Sequence, residues 1–245
     1  MDDRSGARAP RACDISARML VLIADKFPAH GREILARSGE VVYRPELGEG
    51  DLPAAIAAAG ADILVVRSTV VNAAALQASP RLSLVIRAGA GVNTIDLKTA
   101  SQRGIFVANC PGKNAIAVAE LTMGLLLALD RRIVDATAEL RSGVWNKGKF
   151  GKARGIKGQT LGLLGFGLIS REVAVRARAF AMKVQCFDVH APNPELCASL
   201  GVTAVDSVEA LLRTSDVVSV HVPFTKATKH LIGAEQLAWM RPDSI

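Results

Sequence analysis

Apolar and polar positions alternate along this chain in blocks. Residues 19–25, MLVLIAD, form a continuous apolar run of strand length. AHGREILARSG follows, with Ile34 and Leu35 at helical spacing and Gly39 as a stop. EVVYRP reads as a short strand. DLPAAIAAAG reads as a helix, with Asp51 as N-cap and Gly60 as its C-terminal stop. ADILVV (61–66) is the next strand, NAAALQAS a short helix, and LSLVI (82–86) a further strand. The loop RAGAGVNT, a helix around IDLKTASQRG and the strand IFVAN complete the series. Continuous apolar strands alternating with short helices predict a parallel sheet covered on both faces, so residues 19 to about 110 should form one open α/β unit.

A long helix is expected next, from Asn114 as N-cap through AIAVAELTMGLLLALDRRIVDATAELRSG, ended by Gly143. Its apolar face is broad. Burial against a second domain or subunit and ordinary core packing explain that breadth equally well. Glu120, Asp130, Arg131 and Arg132 interrupt the run, and no apolar stretch reaches membrane-spanning length. The alternation then restarts. The strand 160–165 leads to a helix over 169–182. The strand KVQCFD, a short helix around PELCAS and the strand VTAV follow, and the helix SVEALLRTS and strand DVVSVHVP close the series.

The connection inside LGLLGFGLIS carries the most chemistry. Gly165 and Gly167 stand between an apolar strand and a helix, where missing Cβ atoms allow a tight bend and the close approach of a pyrophosphate. The helix N-terminus adds free N–H groups and the positive end of its dipole. Ser170 takes the place of a third glycine. Asp188 ends the following strand, where a carboxylate can accept both hydroxyls of an adenosine ribose and repel a 2′-phosphate. Together these features predict a dinucleotide site that prefers NAD over NADP; a strand-end Asp capping a loop is the alternative for Asp188.

Composition adds limits. The chain has 245 residues, half of them hydrophobic and 4 % aromatic, so it is long enough for two modest domains with aliphatic cores. Cys13, Cys110, Cys186 and Cys197 show neither CxxC nor metal-ligand spacing and read as reduced core fillers of a cytoplasmic protein. Residues 1–18 are polar, lack the apolar stretch of a secretory signal, and are expected to be a loose extension, with Met19 as an alternative start. Net charge is +7. Arg141, Lys147, Lys149, Lys152, Arg154 and Lys157 form a basic run, either an anion-binding surface or, the favoured reading, a solvated connector. No nucleic-acid motif accompanies it, so a nucleic-acid partner is not expected.

The chain resembles the D-isomer-specific 2-hydroxyacid dehydrogenases, and within them the D-3-phosphoglycerate dehydrogenase branch. The resemblance covers residues 19 to 245 through VVRST (65–69), IRAGAGVNTIDL (86–97), NCPGKNAIAVAELTMGLLLAL (109–129), LGLLGFGLISREVA (161–174), FD (187–188), HVPFTKATKHLIG (221–233) and MRPDS (240–244). It implies an α/β fold of two doubly wound parallel-sheet domains. One is a flavodoxin-like substrate domain over 19–113; the other is a Rossmann NAD-binding domain over 114–245, expected to be incomplete at its C-terminus. It implies interconversion of a D-2-hydroxy acid and its 2-keto acid by hydride transfer to or from NAD, with 3-phosphoglycerate as a candidate substrate.

By the same resemblance, the backbone of Gly89, Ala90 and Gly91 would hold the substrate carboxylate, with Arg67, Ser68 and Arg87 at the substrate cleft. A tight turn is the alternative for the two glycines, and surface salt bridges for the arginines. Leu168 and Ile169 would meet the pyrophosphate, and Val222, Pro223 and Thr228 would line the cofactor's far side. Two departures stand out. Val70 occupies the place of a lysine common in phosphoglycerate dehydrogenases, which counts against a phosphorylated substrate. Leu168 replaces a frequent arginine. The family's catalytic arginine, glutamate and histidine would lie beyond Ile245, so the chain reads as C-terminally truncated and, alone, without turnover; His221 is a strand-end residue and not the family's base. The resemblance also implies a homodimer or tetramer built through residues 110–150. A non-enzymatic NAD-binding regulator, with the basic run facing a partner protein, is the competing reading.

Overall fold

The computed structural model describes residues 19–245. The expected extension over 1–18, with Cys13, lies outside them. The chain divides into two compact units at Pro111–Gly112.

The first unit alternates strands and helices throughout. In order they are β1 Leu20–Ile23, α1 Ala29–Ala36, β2 Glu40–Tyr43, α2 Leu52–Ala59, β3 Ile63–Val66, α3 Ala73–Gln77, β4 Leu84–Arg87, α4 Leu97–Arg103 and β5 Phe106–Ala108. Every pairing is parallel and the sheet order is β2-β1-β3-β4-β5, the flavodoxin-like order. The strands are apolar on both faces because both are covered. Leu22, Leu64 and Val85 point into a large cluster with Leu52, Ile56 and Leu76. Val21, Ile23 and Val65 point to the other face, against Leu35 and Tyr43. Asp51 does not cap α2 with its side chain, whereas Gly60 ends the helix in the left-handed conformation as expected.

The second unit comprises α5 Ala115–Asp130, α6 Ile133–Arg141, α7 Lys147–Phe150, β6 Thr160–Leu164, α8 Leu168–Ala179, β7 Lys183–Phe187, α9 Pro194–Leu200, β8 Val202–Ala204, α10 Val208–Thr214, β9 Val217–Val220 and α11 Ala234–Trp239. Its four-stranded parallel sheet has the order β8-β7-β6-β9, which corresponds to 3-2-1-4 of the Rossmann order 3-2-1-4-5-6. The backbone of Ile245 bonds to Asp216 O and Val218 N alongside β9, the pattern of a parallel neighbour. Ala119, Met123 and Leu126 of α5 and Val173, Ala174 and Ala177 of α8 share one core with Leu161, Leu163 and Val184 of the sheet. No helix among the described residues is long and apolar enough to cross a membrane.

The helix predicted from 114 to 143 breaks at Arg132, which adopts φ 52° and separates α5 from α6. The guanidinium of Arg132 reaches Asp135 and lies over the Phe150 ring, so partners on the following turn and on α7 hold it there. Asn114 makes no side-chain cap to α5. Cys186 and Cys197 are buried, but Cys110 is exposed and fills no core.

Candidate functional site

In a parallel sheet, ligands gather outside the C-terminal strand ends where the strand order reverses. In the second unit that point lies between β6 and β9, which both pair parallel in the four-stranded sheet. Gly165 follows β6 there with φ +90°, and a Cβ on it would stand 2.9 Å from His221 O and 3.0 Å from Val222 Cγ1. Only glycine fits that close pass beside the exit of β9. An added Cβ on Gly167 would meet nothing within 4 Å, so the second glycine faces open space. The first helical bond of α8 runs from Arg171 N to Gly167 O. The N–H groups of Leu168, Ile169 and Ser170 therefore have no acceptor within the helix, and the dipole of a 12-residue helix is positive at this end.

Ser170 is fully buried and donates its hydroxyl to Gly165 O at 2.5 Å. The departure from a third glycine thus ties the helix to its own turn, and the small side chain still permits close packing on the sheet. Leu168 is 54 % exposed at the helix start.

Asp188 follows β7 and reaches back to the turn. Its Oδ2 accepts from Phe166 N at 2.7 Å and its Oδ1 from His190 N at 3.1 Å. The carboxylate is fixed in orientation beside the open glycine, and each oxygen keeps a further lone pair for a hydroxyl donor. It is half-buried and accessible. Val222 packs against the turn. The loop that follows closes on itself: Thr228 Oγ1 donates to Pro223 O at 2.6 Å and accepts from Thr225 N at 2.8 Å. His221 N donates to Leu164 O at 2.7 Å, and its ring Nε2 lies 2.9 Å from Ser219 Oγ. Burial lowers the His221 pKa from 6.5, favouring a neutral ring tied into the sheet.

The first unit has its own reversal, between β1 and β3. Arg67 and Ser68 follow β3 at that point, both exposed. Sequence reading passed over their anchor, Asp25, which follows β1. Its Oδ2 accepts from the N–H groups of Arg67 (2.7 Å), Ser68 (3.1 Å) and Thr69 (3.1 Å), and its Oδ1 from Ser68 Oγ (3.2 Å). Burial alone would raise the Asp25 pKa, but these donors together hold it below 3.8. An acid at the end of the apolar run LVLIAD was the available signal, the same one that singled out Asp188.

Arg87 ends β4 and folds under the loop 89–91. Its Nη1 donates to Gly91 O at 2.6 Å, and its Nε is buried with no partner. A Cβ on Gly89 or Gly91 would come within 3.3 or 3.2 Å of that Nη1, and neither glycine has a left-handed φ. The glycines here make room for a guanidinium rather than form a turn forbidden to other residues. Asn109 Nδ2 donates to Ala90 O at 2.6 Å, Cys110 N to Gly89 O at 2.9 Å, and Gly89 N to Arg87 O at 2.8 Å. Among the described residues this leaves the N–H groups of Ala90 and Gly91 without an acceptor, while that of Gly89 is taken. Arg67's guanidinium makes no ion pair among the described residues.

The basic run is partly neutralised. Lys149 pairs with Glu139. Arg154 pairs with Asp216 at 2.9 Å and with Asp243 at 3.0 Å, and Arg241 joins Asp216 at 2.9 Å. Asp216 also accepts from Thr160 N at the start of β6. This network fits the connector reading. No group of three or more metal-ligating side chains occurs among the described residues.

Residues 123–245 match the family described as D-isomer specific 2-hydroxyacid dehydrogenase, NAD binding domain. The chain is 40 % identical to the D-3-phosphoglycerate dehydrogenase of Methanocaldococcus jannaschii, over 92 % of this chain and 42 % of that protein. It is 45 % identical to the hydroxypyruvate reductase of Thermotoga maritima, over 74 % of this chain and 57 % of the relative. The chain thus spans about half the length of these curated relatives. Among solved structures it is similar to the TT0316 protein of Thermus thermophilus, with a TM-score of 0.82 and 33 % identity over 91 % of this chain and 71 % of that one. With half of its length matched by the NAD binding domain pattern, the chain belongs to the D-isomer specific 2-hydroxyacid dehydrogenase family.

Proposed function

We propose that this family member serves an NAD-dependent oxidation of a D-2-hydroxy acid, or the reverse reduction of the 2-keto acid. In this reading the second unit binds the nucleotide and the first binds the acid. The observation that carries it is the carboxylate of Asp188, anchored by Phe166 N–H and His190 N–H beside an open Gly167 and a helix start with unpaired N–H groups. The residues fit the nucleotide. Leu168 and Ile169 would donate N–H to its pyrophosphate, Asp188 would accept the two hydroxyls of its adenosine ribose, and Val222, Pro223 and Thr228 would border its far side. A bound nicotinamide supplies the hydride acceptor or donor.

On the acid side, Arg67's exposed guanidinium and the N–H groups of Ala90 and Gly91 are the donors available to a carboxylate. Arg87 supports that loop from beneath. Ser68 is engaged with Asp25, and Gly89 contributes space. The relatives are named for phosphoglycerate, hydroxypyruvate and glyoxylate chemistry. Val70, where a second cation would help a phosphate, favours the small unphosphorylated acids. We place the activity in the cytoplasm, whose reducing conditions suit free Cys110, Cys186 and Cys197. Self-association through residues 110–150 completes the proposal. Ile133, Leu140, Trp145 and Phe150 line an apolar cleft of about 500 Å³, and Trp145 is 77 % exposed.

Calorimetric titration with NADH and NADPH tests the nucleotide reading. NADH should bind more tightly, and Asp188→Asn, which removes the charge and keeps a single acceptor oxygen where the carboxylate has two, should lose roughly 1–3 kcal/mol of NADH affinity. Preference for NADPH, or an Asp188→Asn variant that binds NADH like the parent, would remove the ribose–carboxylate argument.

A further inference from the structure

We propose that Asp25 is a positioning residue for substrate: it fills, from within the chain, an anion cradle formed by the N–H groups of residues 67–69, and so leaves Arg67's guanidinium as the recognition element of that loop. The inference rests on the reading of Arg67 as a substrate contact. Three successive N–H groups converging on one point form the kind of concavity that binds a free carboxylate or phosphate. They lie outside the strand ends at the reversal between β1 and β3, where an α/β sheet ordinarily receives its ligand. Here one oxygen of Asp25 takes all three, at 2.7, 3.1 and 3.1 Å, and the other takes the Ser68 hydroxyl.

Two consequences follow. An incoming carboxylate cannot use these N–H groups and would be repelled by Asp25 if it tried. It is therefore directed to Arg67, whose side chain is exposed and free of ion pairs among the described residues, and to the loop 89–91. The loop also cannot swing, because its neighbour in the sheet holds three consecutive residues at once. Asp25 is 42 positions from Arg67 in sequence, so this is a tertiary clamp and not a local turn.

The test uses the 245-residue chain with backbone N–H resonances observed by heteronuclear NMR, titrated with formate as a detached carboxylate and with glyoxylate as a small 2-keto acid. In the parent, formate should leave Ser68 and Thr69 unmoved, and glyoxylate should shift Ala90, Gly91 and the Arg67 side-chain N–H without shifting Ser68 or Thr69. In Asp25→Ala, formate should saturate the empty cradle, bind at least about tenfold more tightly than to the parent, and return the Ser68 and Thr69 signals toward their parental positions. Should Asp25→Ala not fold, Asp25→Asn replaces it. The amide oxygen keeps an acceptor but loses the charge, so the backbone N–H signals of Arg67, Ser68 and Thr69 should move part of the way from their parental positions, and they should move likewise in Asp25→Glu, whose longer side chain misplaces the carboxylate. Formate that does nothing to the folded Asp25→Ala chain, parental signals in Asp25→Asn, or glyoxylate shifting Ser68 and Thr69 in the parent would each overturn the proposal. Formate rescue together with a glyoxylate titration that moves neither Arg67 nor the loop 89–91 would keep the clamp and refute the substrate reading instead.

Discussion

Gly165→Ala and Gly167→Ala should separate what the β6–α8 turn does for folding from what it does for binding. Gly165 has φ +90°, which costs an L-residue about 1–2 kcal/mol. Its new Cβ would also stand 2.9 Å from His221 O and 3.0 Å from His221 C. Those are backbone atoms that cannot swing aside, so overpacking adds about 1–3 kcal/mol. The sum is roughly 2–5 kcal/mol, or a fall of roughly 4–20 °C in melting temperature for a chain of this size. Gly167 has φ −81° and nothing within 4 Å of an added Cβ, so its alanine variant should melt within about 0.5 kcal/mol of the parent. That methyl would, however, stand where a pyrophosphate must approach. Losing one charge-assisted hydrogen bond there costs about 1.5–3 kcal/mol, roughly 10- to 150-fold in NADH affinity. Thermal unfolding by circular dichroism and calorimetric titration with NADH read the two effects independently. A Gly165→Ala chain as stable as the parent would show that the turn tolerates a Cβ. A Gly167→Ala chain with parental NADH affinity would show that no phosphate comes to this turn.

Asp25 should also shape stability in acid. Its folded pKa lies below the ordinary 3.8, so the unfolded chain binds the proton more readily. The stabilisation is complete above that ordinary value and is lost as pH falls below 3.8 and through the folded pKa. Melting temperatures of the parent and Asp25→Asn should therefore converge below pH 3.8, and a gap that widens there would contradict the clamp. Cys186 is pushed up to about 12, first by burial and then by the neighbouring Cys197 thiol. Iodoacetamide at pH 8 should label exposed Cys110 in the native chain and reach Cys186 and Cys197 only on unfolding; rapid native labelling of Cys186 would contradict its buried placement. Sedimentation should show an oligomer that Leu140→Glu together with Trp145→Glu dissociates, and a parent chain that sediments as a monomer would refute self-association through this face.

What the sequence determined alone is what neighbouring residues decide among themselves. Apolar runs such as LVLI and ILVV are strands buried on both faces whatever lies next to them, and their alternation with short helices already requires a parallel sheet. The glycine turn was legible because strand, Gly165, Gly167 and helix are contiguous, and Asp188 because it closes the very next strand. What only the tertiary structure decided concerns partners far apart in the chain. The clamp of Asp25 on residues 67–69 exists because β1 and β3 are neighbours in the sheet. Arg87 is a candidate for the substrate cleft by resemblance, and only the fold shows its guanidinium donating to Gly91 O, with Gly89 and Gly91 leaving room for it. Ser170 departs from the glycine pattern in sequence, and only the fold brings its hydroxyl onto Gly165 O. The break at Arg132 has no glycine or proline to announce it. It depends on Asp135 and the Phe150 ring, and the exposure of Cys110 likewise depends on what the fold leaves uncovered. Periodicity along a chain reports which face of an element is buried; it carries no information about which distant polar group will meet that face, because that is set by strand order and register.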